Sequence, residues 1–145
     1  MAKILFMIDD DQDDREIFQE AISDCDPNIE LLFAGDGMEA LEILNAGKAH
    51  PDVIFLDYNM PRMNGLDCLR QLKRDAKTKD IPTIMYTTSG DREQEKVVLL
   101  LGADHYMRKT TSYKTLCSEL KRLLVLVERN ELKSKNKSHS NQRSS

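Results

Sequence analysis

No window of this sequence approaches the ~20 consecutive apolar residues of a membrane span. The start, MAKILFMIDDD, passes from a short apolar run straight into acids, which is wrong for a secretory signal. Cysteine is scarce: Cys25, Cys68 and Cys117 are odd in number, far apart and without CxxC spacing. They predict free thiols in a reducing cytoplasm rather than a disulfide framework. His50, His105 and His139 show no metal-ligand spacing either and are expected on the surface. Basic residues do not dominate the folded part; the net charge is −4, which argues against a nucleic-acid footprint.

What is present suits one domain. The 145 residues are 40% hydrophobic and 32% charged, enough for a real core. Apolar runs alternate with helix-period stretches along the chain. Strands are expected at Ile4–Ile8, Glu30–Phe33, Asp52–Leu56, Pro82–Tyr86 and Ala103–Met107. Helices are expected over Asp13–Ser23, around Ala40–Leu44, from near Gly65, from Asp91, and from Ser112 to Leu132. Such alternation with short links implies parallel strands joined by right-handed crossovers. The fold class is therefore α/β: a flavodoxin-like, doubly wound, five-stranded parallel sheet of order 2-1-3-4-5 with five helices. Residues 1–130 form the folded unit. Residues 131–145 end in KSKNKSHSNQRSS, which has no apolar residue and predicts a mobile, solubilising tail. Its lysines and arginine carry +4, leaving −8 on the rest of a chain of net charge −4.

The stretch Asp52–Gly65, DVIFLDYNMPRMNG, organises this plan. A buried strand delivers Asp57 at its end, and a turn through Asn59, Pro61 and Gly65 follows. In a parallel sheet all strands end on one side, where open α/β folds bind ligands. Asp9, Asp10 and Asp11 follow the first strand, Asp57 the third, Thr87 the fourth and Lys109 the fifth. Clustered carboxylates disfavour their own ionisation unless a cation is present. Mg²⁺ suits such oxygens, Lys109 supplies a point charge for a phosphate, and Thr87 supplies one hydrogen bond. The set describes phosphoryl transfer onto a carboxylate, which rests on positioning and charge neutralisation. Taken singly, Asp57 is a turn residue, Thr87 a strand residue and Lys109 a surface lysine. Asp11, Asp13 and Asp14 are assigned to capping the first helix and complementing its dipole.

These residues resemble the receiver domain of two-component response regulators over roughly Lys3 to Val127. The matching parts are Ile8-Asp9-Asp10, Asp57-Tyr58-Asn59-Met60-Pro61 with Gly65, Pro82 through Thr87, and Gly102 through Lys109. The resemblance implies that Asp57 takes a phosphoryl group from a phosphohistidine on a sensor histidine kinase or histidine phosphotransfer protein. It implies Mg²⁺ bound by Asp10, Asp57 and the Asn59 carbonyl, with Asp9 acting mainly through water. Lys109 would pair with phosphoryl oxygens, Thr87 would move toward them and Tyr106 would turn inward, a two-state switch. The family usually has a cis proline after the lysine. Here Thr110 stands there, and a trans Lys109–Thr110 peptide is expected because cis would cost about 3–4 kcal/mol. The run Asp9–Arg15, DDDQDDR, is also similar to the small receivers paired with bacterial phytochromes.

No output domain is evident after the last helix, so the expectation is a single-domain receiver that docks to a partner or relays phosphate, without DNA binding. Val97–Leu101 and Leu123–Val127 are apolar around more than one helix face. They predict a contact patch on the fourth and fifth helices for a partner or a homodimer, the alternative being deeper burial. A haloacid-dehalogenase-type phosphatase would need an acid where Asn59 stands. A flavin carrier would need a hydroxyl-rich phosphate loop where Asp9–Asp11 stand. A receiver that only binds partners would not need Asp9, Asp10, Asp57, Thr87 and Lys109 together.

Overall fold

In a computed structural model, residues 3–47, 49–88 and 90–132 are described. Within them five strands alternate with five helices: β1 (Ile4–Ile8), α1 (Gln12–Cys25), β2 (Glu30–Ala34), α2 (Gly37–Asn45), β3 (Val53–Leu56), α3 (Gly65–Arg74), β4 (Thr83–Thr87), α4 (Arg92–Leu100), β5 (His105–Arg108) and α5 (Tyr113–Glu128). Each helix starts at a polar cap whose side chain accepts the N–H three residues on. The caps are Asp11, Asp36, Asn64, Asp91 and Ser112. This satisfies one otherwise orphaned donor per helix and fixes where each strand-to-helix turn ends.

The strands form one parallel sheet in the order β2-β1-β3-β4-β5, as the alternation predicts. Ile8 pairs with Leu56 across β1 and β3, so both strands end level and deliver Asp9 and Asp57 side by side. Successive side chains face opposite sides. Leu5, Met7, Val53, Phe55, Ile84 and Tyr86 pack under α1 and α5. Phe6, Ile8, Ile54, Leu56 and Met85 pack under α2, α3 and α4. Two buried layers make the central strands continuously apolar.

Several boundaries shift from the expectation, and those of β5 and α5 have a visible cause. β5 starts at His105, because Asp104 is spent on a side-chain bond to the Thr83 N–H (2.8 Å). α5 stops at Glu128 rather than Leu132. Asn130 takes a left-handed φ of 57°, and Glu131 and Asn130 donate to the carbonyls of Leu126 and Val127. That pattern is a Schellman stop, with asparagine in the usual glycine place. Beyond it Leu132 is buried in the core layer that packs under α1 and α5. Residues 133–145, which include the basic tail, lie outside the described residues, as does His139.

His50 is exposed as expected, but His105 is half-buried and burial lowers its pKa. The surplus apolar residues divide. Val98 and Leu123 are buried, and Leu99, Leu101, Leu124, Leu126 and Val127 pack on the core. Val97, Leu100 and Val125 face outward, Leu100 at 72% exposure. Among the described residues no helix is long and apolar enough to cross a membrane.

Candidate functional site

The carboxyl edge of the sheet brings Asp9, Asp57, Thr87 and Lys109 together, each at or just past its strand end. Backbone bonds extend the ladders by one residue and so fix three of them: Asp9 N–H to Ala34 (3.0 Å), Asp57 N–H to Ile8 (2.9 Å) and Lys109 N–H to Thr87 (2.8 Å). Asp9, Asp57 and Thr87 are buried, while Asp10 is exposed at the rim. The Lys109 side chain, 7% exposed, places its ammonium 2.6 Å from Asp9 and 3.6 Å from Asp57. The ammonium also sits 5.4 Å above the Tyr86 ring, a cation–π floor. The Lys109–Thr110 peptide is trans, as expected.

The electrostatics follow from this crowding. Burial and the neighbouring Asp9 charge push the Asp57 carboxyl up to about 6, against the pull of Lys109 and the Asn59 N–H. Burial raises Asp9 as well, with Lys109 opposing. For Lys109, burial alone would lower the pKa. Its bonds to Asp14 and Asp9 and the Asp57 charge outweigh burial and raise it, so it stays charged.

Asp9, Asp10 and Asp57 present carboxylate oxygens that all lie within 4.8 Å of one another. Three hard oxygen donors this close, two of them on acids that resist ionising, fit a small divalent cation such as Mg²⁺ or Mn²⁺. Asn59 is exposed on the turn after β3, and its N–H bonds the Asp57 carboxylate. That turn is closed by a Gly65 N–H bond to the Tyr58 carbonyl (2.8 Å). A Cβ on Gly65 would overlap the Asp57 carbonyl, so only glycine lets α3 start this close to the acid.

Arg62 and several contacts of Asp14 and Tyr106 are not foreseen in the sequence reading. Asp14, there assigned to the dipole of the first helix, also bonds Lys109 at 2.7 Å. Its signal was present: Asp14 precedes buried Phe18 by four residues and so shares the inward face of α1. Arg62, at φ 63°, ties the β3–α3 turn to the cap of α2 through Asp36 (2.7 Å). Tyr106 is half-buried, with its hydroxyl 3.1 Å from the Gln94 amide. Neither contact carries a spacing signal.

Comparison with known proteins agrees with the geometry. Residues 5–121 match the response regulator receiver domain family. The chain is 34% identical over 120 residues to chemotaxis protein CheY1 of Helicobacter pylori, covering 83% of this chain and 95% of that protein. Its fold is similar to the phosphorylated cyanobacterial phytochrome response regulator RcpA (TM-score 0.80, 27% identity, 87% and 94% coverage). It is also similar to the Mn²⁺-bound form of response regulator Rcp1 (TM-score 0.75, 25% identity, 83% and 91% coverage). Against two longer curated relatives the chain spans 52% and 33% of their lengths. Matched over most of its length and with acids, threonine and lysine at the expected strand ends, this chain belongs to the receiver domain family of two-component response regulators.

Proposed function

We propose that Asp57 is the phosphoacceptor of a signalling switch, charged by a phosphohistidine on a sensor kinase or phosphotransfer protein. The supporting observation is the convergence at Asp57. It is a buried strand-end carboxylate with two further acids within metal-ligand reach and one ammonium at 3.6 Å. An Asp57 carboxylate oxygen attacks phosphorus while the N–P bond breaks, and the imidazole leaves with its electron pair and takes up a proton. Asp10, Asp57 and the Asn59 carbonyl would hold Mg²⁺, with Asp9 acting through water. When bound, the ion neutralises charge on the phosphoryl oxygens and aligns them for in-line attack. Lys109 takes a further phosphoryl oxygen through its third donor. Thr87 donates its hydroxyl to the same group, and Tyr106 follows Thr87 inward.

The output is a changed surface on α4, β5 and α5, where Val97, Leu100 and Val125 already face outward. A partner or a second copy docks there, or the phosphoryl group is relayed onward. The setting is cytoplasmic, as for a kinase partner, without nucleic-acid or membrane contact by this domain.

Intact mass after incubation with Mg²⁺ and acetyl phosphate, run beside Asp57→Asn, tests the reading. The expected result is one phosphoryl adduct that needs Mg²⁺ and disappears in the variant. An unlabelled wild type, under conditions that label another receiver, would leave a binding-only module.

A further inference from the structure

Lys109 is held by more than the site acids. Its Nζ lies 2.7 Å from Asp14 Oδ2 and 2.6 Å from Asp9 Oδ2, yet 3.6 Å from Asp57. Two of its three donors are therefore engaged at short range, and the residue nearest the proposed chemistry is the one left outside hydrogen-bond distance. Asp14 comes from a different element, the first turn of α1, and its side chain remains 32% exposed. It is a fourth carboxylate beside Asp9, Asp10 and Asp57, and it shares the Lys109 ammonium with Asp9 and Asp57. A phosphoryl group arriving at Asp57 brings further negative charge and needs the same ammonium.

We propose that Asp14 is a positioning residue that holds Lys109 in reserve and competes with the phosphoryl group for it, so that the resting site is biased against phosphorylation. This rests on the phosphoacceptor reading of Asp57. Asp14 does not touch the reacting atoms. It acts through Lys109, by sharing its charge and by adding one more anion to a pocket that must accept a dianion. Removing that carboxylate leaves Lys109 with Asp9 and one donor more for the phosphoryl oxygens. Asp13, its neighbour, is exposed in the same first turn and serves the helix dipole equally. No contact between Asp13 and Lys109 accompanies the Asp14 bond. Asp13 therefore separates a general helix-charge effect from the specific one.

The test is calorimetric titration of beryllofluoride, a phosphoryl mimic, into the full chain at saturating Mg²⁺. Wild type, Asp14→Asn, Asp14→Glu and Asp13→Asn are compared, each first shown folded by its thermal melt. Asp14→Asn is expected to bind beryllofluoride three- to ten-fold more tightly. Asp14→Glu, which restores the charge, should return to within twofold of wild type, and Asp13→Asn should match wild type. Equal or weaker binding by Asp14→Asn overturns the proposal, as does an equal gain in Asp13→Asn. Should Asp14→Asn fail to fold, Asp14→Ser takes its place with the same expectation. A wild type that binds no beryllofluoride overturns the phosphoacceptor reading itself, a different and recognisable result.

Discussion

The hydroxyl of Tyr106 occupies the space that a Cβ on residue 90 would fill, so Gly90 and the position of the Tyr106 ring depend on one another. Gly90 also has φ 129°, a conformation L side chains rarely adopt. The ring is latched there by the Gln94 amide at 3.1 Å, and Arg108 bonds the Gly90 carbonyl across the same loop. Gly90→Ala should therefore cost about 1–3 kcal/mol in backbone strain and displace the ring. A urea melt together with the NMR shifts of Tyr106 checks this. Unchanged ring resonances would mean that the loop moves instead.

Asp57 carries a stability cost that should appear in pH profiles. Its pKa is about 6 in the folded chain against an ordinary 3.8, because burial and Asp9 disfavour the charge. Below pH 4 the group is neutral in both folded and unfolded states and nothing is lost. As pH rises from about 4 to about 6 the unfolded state ionises the group while the folded state keeps it protonated, so stability falls, and the loss is complete above 6. Without divalent metal, Asp57→Asn should be more stable than wild type by about 1–3 kcal/mol at pH 8. That advantage should shrink as pH falls through 6 and vanish near 4. Urea midpoints at several pH values measure it, and a gain independent of pH would contradict the assignment.

Lys109 is the counter-charge for the whole cluster. Its loss leaves buried acids facing one another, a change worth about 3–5 kcal/mol for a buried pair broken on one side. Lys109→Met should therefore melt well below wild type in metal-free buffer. Mg²⁺ should raise its melting temperature more than that of wild type, because the ion then supplies the missing positive charge. Calorimetric scans with and without Mg²⁺ decide this. A smaller Mg²⁺ response in the variant would show that Lys109 is needed to form the ion site.

Much of this arrangement was legible because parallel topology converts sequence order into position. Once Ile4–Ile8 and Val53–Leu56 are strands, Asp9 and Asp57 must end on one edge, and their burial follows from apolar residues on both sheet faces. Glycine at 65 and the caps at Asp11, Asp91 and Ser112 were equally visible as turn chemistry. What stayed hidden depends on side-chain reach. The helical spacing from Phe18 turns Asp14 inward, but only the length of Lys109 shows that the two meet. The Arg62–Asp36 tether joins two loops whose separation no spacing records. Val97–Leu101 shows the opposite limit: a run apolar on every face cannot say which face is outermost. The core settles it by taking Val98 and leaving Leu100 in water.

Lys73 should prove as costly to remove as a site residue, although it lies away from the acids. Its ammonium donates to the carbonyls of Lys79 (3.1 Å) and Ile81 (3.0 Å) and reaches Asp104 at 3.5 Å. Both side chains are largely buried, Lys73 at 10% exposure and Asp104 at 1%. Asp104 in turn accepts the Thr83 N–H at the start of β4. One ammonium thus ties α3 and the approach to β4 to the approach to β5, whose far ends carry Thr87 and Lys109. Methionine preserves the stem but removes every donor, so a buried carboxylate loses its cation and two carbonyls lose a partner. Lys73→Met should lower stability by about 2–4 kcal/mol. Lys73→Arg, longer and planar, should recover only part of this, because its fork does not match three acceptors arranged around a point charge. Chemical denaturation of the three proteins gives the order, and hydrogen exchange at Thr83 and Asp104 gives the location. Exchange that stays slow at both amides in Lys73→Met would show that Asp104 holds the two strand starts together without the lysine.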